Sequence, residues 1–273
     1  MGHCLFCGSA GPFTTEHVIP KWARKLLDPL DRTSLRIYAG DEPGADQRRQ
    51  VGRLLHLSMT VDEEICRKCN NGFLSQLERQ AHPVLAPMIQ TGSCAVLGPD
   101  EQAVLATWAT KTVWLLERAA RQMYPGQRPI EGYMASESEF AWLWRERKPP
   151  PRALVWLAYW DCERQVPLMY EPSGAPLPTI GGGSRPGHMT TFSLGYVAFQ
   201  VFSTDFVLAE HQSAVQWNTR PPRSLADAIL RIWPSLCSTV AWPGTKLLRS
   251  EWTRHGHLQS PRGIPSRSRV TSG

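Results

Sequence analysis

The stretch Cys66-Arg67-Lys68-Cys69-Asn70-Asn71 answers an earlier one, Cys4-Leu5-Phe6-Cys7, and the two decide how the first third of the chain folds. Each CxxC spacing places two thiolates on one tight turn, which is half of a tetrahedral zinc site; two such turns complete it. Four thiolates close the coordination sphere and leave no position for water, so the expected zinc at Cys4, Cys7, Cys66 and Cys69 is structural. The 58 residues between Cys7 and Cys66 exceed what a simple zinc ribbon holds, so the insert carries structure of its own. Cys94, Cys162 and Cys237 have no partner at metal-binding spacing and are expected in the core.

Around this staple lies a chain of 273 residues with 42% hydrophobic residues and a formal charge of +6. That is enough for one large domain or two smaller ones. The longest apolar run, Ala153 to Trp160, is far short of the roughly 20 residues of a membrane-spanning helix. The first residues lack a basic start and an apolar stretch, so the expected location is the cytoplasm. There thiols stay reduced and bind metal rather than cross-link. Charge alone is weak evidence for a nucleic-acid partner, because the last 25 residues, with five Arg and one Glu, carry +4 of the +6.

The spacing of apolar residues predicts helices over 20–27, 71–80, 99–122, 136–147 and near 225–233, the third opened by Pro99-Asp100-Glu101. It predicts strands within 54–65, 153–160, 190–202 and 238–242. Residues 40–52 and the run Gly181-Gly182-Gly183 read as loops, and the Arg/Ser/Pro-rich end from 254 as disordered. The expected organisation is α+β: a zinc-stapled module over 1–94, an α+β region over 95–253, and a basic tail over 254–273. Trp114, Trp142, Trp144 and Trp156 fall in regular elements and are expected in the core.

Glu16-His17 stands between the cysteine pairs, and Asn70-Asn71 directly follows the second. If the zinc holds the two loops side by side, a carboxylate and an imidazole meet two amide oxygens. A carboxylate with amide oxygens and water is a hard, oxygen-only environment suited to Mg²⁺ or Mn²⁺, and a neighbouring imidazole can take a proton from water.

The order CxxC, Glu-His-x-x-Pro, CxxC-Asn-Asn resembles the HNH endonucleases, the ββα-metal fold, in the zinc-stapled branch that includes phage junction resolvases of the endonuclease VII type. The run Cys69 to Glu78 is also similar to HNH proteins of bacteria and phages. The resemblance covers residues 1 to about 90. It implies that Glu16 and Asn70 ligate a catalytic Mg²⁺ or Mn²⁺, that His17 is the general base, and that the partner is nucleic acid, DNA in particular. Arg67 and Lys68, next to this site in sequence, are candidates for phosphate contacts. The chain departs from the pattern in two places: Glu16 stands where family members often have Asp or His, and, because its three Asn are Asn70, Asn71 and Asn218, the middle Asn of the family name is missing between His17 and Cys66. Its orienting role could fall to another polar residue such as His56. The rival reading is a zinc-stapled nucleic-acid- or protein-binding module that kept the fold and lost the chemistry.

Overall fold

A computed structural model describes residues 2–27, 36–39, 49–50, 58–123, 135–159, 168–178, 184–203, 229–234 and 238–243. In chain order the elements are β1 (Phe13–His17), α1 (Lys21–Leu27), β2 (Arg36–Ala39), β3 (Arg49–Gln50), β4 (Thr60–Cys66), α2 (Arg67–Cys69), a π-helical turn (Asn70–Leu74) and α3 (Ser75–Thr91). There follow β5 (Ala95–Leu97), α4 (Pro99–Met123), α5 (Glu137–Glu146), β6 (Leu154–Tyr159), β7 (Leu168–Pro178), β8 (Ser184–Leu194), β9 (Val197–Ser203), β10 (Ile229–Trp233) and β11 (Val240–Trp242). The mixture of helix and strand is α+β.

β1 pairs antiparallel with β4, Phe13 opposite Cys66 and His17 opposite Thr60. The register slips between Thr14 and Glu16, where β4 carries extra residues and Glu63 takes a left-handed φ of 59°. Such a bulge bends the strand and re-aims its side chains. The chain then runs without a break through α2 and the π-turn into α3. The expected helix over 71–80 is therefore longer at both ends, passing Pro83 and Pro87. It persists because Leu77, Ala81, Leu85, Met88 and Ile89 bury one continuous face, and it stops at Gly92, whose φ of 66° is the left-handed cap that glycine favours.

A seven-stranded sheet in the order β10-β6-β9-β8-β7-β2-β3 forms the other layer, all antiparallel except β2 with β7. Two expectations change here, and one strand, β7, has no counterpart among them. The run 190–202 is two strands folded back at Gly195-Tyr196, not one; Gly195 has φ 55° and sits against the Ile89 carbonyl, so only a residue without Cβ fits the turn. Ile229–Trp233, expected to be helical, is strand β10 on the edge of β6, where backbone partners outweigh the helix-like spacing. β7 was hidden by Pro172, Pro176 and Pro178; among the described residues β2 pairs only with Met169 and Tyr170, so these prolines lie on a stretch bonded along one side.

α4 crosses between the two layers with 16 buried residues out of 25, polar ones among them, which makes it a core helix rather than an amphipathic surface one. Its expected extent holds, as do those of α1 and of α5, which opens on a Ser136/Glu139 capping box. Buried side chains from both the 1–94 and the 95–253 stretches form one core cluster, and β2 and β3 of the first stretch extend the sheet of the second. Trp114 and Trp156 are buried, while Trp142 and Trp144 are half-buried. Among the described residues no helix is long and apolar enough to cross a membrane. The loop expected over 40–52 carries the short strand β3 at Arg49–Gln50, paired with β2, and its remaining residues, like 181–183 and the tail from 254, lie outside the described residues.

Candidate metal centre and active-site cavity

The first cysteine pair sits on a turn closed by the Gly8 N–H donating to the Cys4 carbonyl at 2.8 Å and the Cys4 N–H to Ser9 at 2.9 Å. The second pair lies at the junction of β4 and α2. Arg67 N–H donates to the Pro12 carbonyl at 2.8 Å and Leu5 N–H to that of Glu64 at 3.0 Å, which docks one turn on the other. The four Sγ atoms lie within 4.8 Å of one another, and Cys7 and Cys66 are 3.5 Å apart. A zinc with four sulfurs at about 2.3 Å needs S–S separations of about 3.8 Å, so the quartet brackets the required size. These cysteines can hold a metal ion such as zinc.

The surroundings favour a thiolate at Cys4. Cys66 N–H donates to Cys4 Sγ at 3.3 Å and Cys69 N–H to Cys66 Sγ at 3.5 Å. The contact with the Cys69 thiol, helped by backbone N–H groups and opposed by burial, holds Cys4 down to about 4. The same contact, with burial, pushes Cys69 up, as expected of thiols crowded together. Arg147, whose guanidinium stacks on Phe73 at 4.2 Å, adds positive charge on the Cys69 side. Cys94 is exposed rather than in the core, because it falls in the short link between α3 and β5; Cys162 and Cys237 lie outside the described residues.

A cavity of about 610 Å³ opens beside the staple, and Glu16, His17 and Asn70 all line it. β1 contributes the first two and the π-turn the third. Asn70 Nδ2 donates to Thr14 Oγ1 at 2.9 Å and to the Thr15 carbonyl at 3.2 Å. A carbonyl can only accept, so the amide nitrogen faces β1 and the amide oxygen is left for the cavity. Asn70 thus ties helix to strand rather than capping a helix start, a role taken by the Cys66 side chain. Asn71 is exposed on the π-turn and also lines the cavity.

Glu16 is 6% exposed, and its carboxyl is pushed up to about 7: burial is the main cause, Glu78 adds to it, and Lys111 opposes it. His17 is half-buried and titrates below its ordinary value, through burial first and then the nearby Arg24 and Lys21, with Glu78 and Asp62 opposing. At neutral pH its imidazole is unprotonated, the form that accepts a proton. Carboxylates, amide oxygens and the Ser75 hydroxyl make a donor set that suits a hard divalent ion. Among the described residues the thiol quartet is the group of three or more Cys, His, Asp or Glu side chains close enough to share an ion, so an ion on Glu16 would also use amide oxygens and water.

Arg67 and Lys68 are exposed on α2, and neither lines the cavity; its cations are Lys21 and Lys25. Their i, i+4 spacing on α1 put both on one face, a signal the sequence did contain. Glu78 and Lys111 carry no such signal. His3 and His82 are exposed, His82 edge-on to Trp22 with centroids 4.8 Å apart; His56 lies outside the described residues. No protein-family model, curated protein or solved structure matches the chain. The four-cysteine cluster does not by itself identify an HNH endonuclease.

Proposed function

We propose that the chain is a metal-dependent endonuclease that hydrolyses phosphodiester bonds of DNA, with zinc on Cys4, Cys7, Cys66 and Cys69 as its staple. The observation that carries this reading is the meeting of Glu16, His17 and Asn70 in one cavity beside the thiol quartet, on an antiparallel strand pair that leads into a helix.

His17, neutral at physiological pH, takes a proton from the attacking water. Glu16 and the Asn70 amide oxygen would hold the Mg²⁺ or Mn²⁺, with Asn70 kept in place by its bonds to Thr14 and Thr15. A divalent ion bound there supplies charge stabilisation for the reacting phosphate and the departing oxygen. Lys21 and Lys25, rather than Arg67 and Lys68, are placed to contact substrate phosphates, since they border the cavity.

The second reading, a binding module without catalysis, is favoured by one observation: a carboxyl as buried as Glu16, already within the field of Lys111, has part of its charge answered without a divalent ion. Incubation of supercoiled plasmid with the zinc-loaded protein and Mg²⁺ or Mn²⁺ separates the two. Nicking by the wild type and none by folded His17→Ala is the expected result. Equal activity in both proteins, or none in either on supercoiled, relaxed and branched DNA, sinks the nuclease reading.

A further inference from the structure

Lys111 is fully buried in the middle of α4, and its ammonium makes no hydrogen bond among the described residues. Its nearest anion is Glu78 on α3, with Nζ 3.5 Å from Oε1, and it lies 5.8 Å from the centre of the Trp108 ring. Its field also reaches Glu16 on β1. Both carboxylates line the cavity, Lys111 does not, and Glu16 and Glu78 repel each other. A buried ammonium is tolerated only against negative charge, and two carboxylates in one wall need positive charge between them. Each side of this arrangement therefore supplies what the other requires.

We propose that Lys111 is a positioning residue, a built-in cation supplied by α4 that holds the Glu16 and Glu78 carboxylates in one cavity wall and lowers that wall's demand for a divalent ion. The inference rests on the nuclease reading only where it concerns the ion. Charge balance is a separate claim and is tested separately.

The experiment uses the full-length, zinc-loaded chain at pH 8 as wild type, Lys111→Met, Glu78→Gln and the double variant, with Mn²⁺ alone as probe. Lys111→Met keeps an unbranched apolar stem one atom shorter and removes the charge. Its melting temperature is expected to fall by roughly 10 °C, as for other buried ion pairs that lose one partner. Removing Glu78's charge as well is expected to recover at least half of that loss, and saturating Mn²⁺ to recover a similar part. Mn²⁺ is expected to bind Lys111→Met about tenfold more tightly than wild type, because an adjacent positive charge has gone.

A double variant no more stable than Lys111→Met overturns the proposal, since a lysine needed only for its volume would not be relieved by a change at Glu78. Failure of both Lys111→Met and the double variant to fold overturns it for the same reason. If neither wild type nor Lys111→Met binds Mn²⁺, the nuclease reading fails along with the ion-related half, while recovery of stability in the double variant still supports the positioning role.

Discussion

Glu16→Gln should stabilise the metal-free cavity, and by an amount that depends on pH. The Glu16 carboxyl titrates near 7 in the fold against 4.5 unperturbed, chiefly because burial penalises its ionised form. Its folded value is raised, so the group favours the fold at low pH and that contribution is lost as pH climbs through 4.5 to about 7. At about 1.36 kcal/mol per pH unit of displacement, ionised Glu16 costs the fold about 3 kcal/mol at high pH, and about 2 kcal/mol of this develops between pH 5.5 and 8.5. The amide in Glu16→Gln has nearly the same shape and no charge to desolvate. Urea unfolding of both zinc-loaded proteins without Mg²⁺ or Mn²⁺, every half pH unit from 5.5 to 8.5, should show the variant gaining on the wild type by about 2 kcal/mol, or roughly 4–8 °C in melting temperature. Thiolates and other titrating groups are common to both proteins and cancel in the difference. A difference that stays flat across that range would refute the burial of this carboxylate and the electrostatics built on it.

Cys69→Ser should abolish stoichiometric zinc and the cooperative unfolding of the β1/β4 region, measured by zinc release and thermal melts, because structural zinc contributes on the order of 10 kcal/mol to small thiolate-held modules. His17→Ala, removing a half-buried side chain, should keep zinc and lose no more than about 1 kcal/mol. Asn70→Ala should cost about 1–2 kcal/mol through the lost bonds to Thr14 and Thr15, and Asn70→Asp more, since its carboxylate would face the Thr15 carbonyl; urea titration at pH 7.5 distinguishes them. Mn²⁺ affinity, followed by calorimetry, should fall about tenfold per pH unit below pH 7 as Glu16 takes up its proton, with the same limb in His17→Ala, whose imidazole titrates lower. A limb that moves with His17 instead would assign the titration to the wrong group.

What the sequence disclosed follows from how local each signal is. The CxxC spacings fix thiol geometry within single turns, so four cysteines far apart along the chain could be matched as one quartet before any fold was known. The long apolar period of α4 and the Ser136/Glu139 cap of α5 are likewise complete within their own elements. β10 failed as a strand because its five residues are held by β6, a partner about 70 positions earlier that no local pattern reports. The hairpin at Gly195 was missed because its need for glycine comes from the Ile89 carbonyl on another element. The site divides in the same way: Glu16, His17 and Asn70 flank the cysteines in sequence and could be named, whereas Lys111 is a lone lysine in an apolar helix whose meaning lies entirely in what it faces.

That helix explains why the cavity is not the property of the first stretch alone. Three polar residues of α4 each reach a different part of the molecule. Gln122 accepts from the Asp62 N–H and donates to the Asp62 carbonyl on β4, both at 3.0 Å; Thr107 donates to the Arg147 carbonyl where α5 ends; Gln102 donates to Ser238 at 2.8 Å beside β11. Lys111 stands between these ties and faces α3. Buried polar groups cost free energy unless they are partnered, and Gln102 and Thr107 are buried, so their ties, together with that of the exposed Gln122, fix the rotation of α4 about its axis. The rotation in turn decides which side chain meets Glu78. The ammonium beneath the cavity is therefore held by bonds made to β4, α5 and the β5/β11 pair, and the charge of the candidate site is set by the way the two halves of the chain pack together.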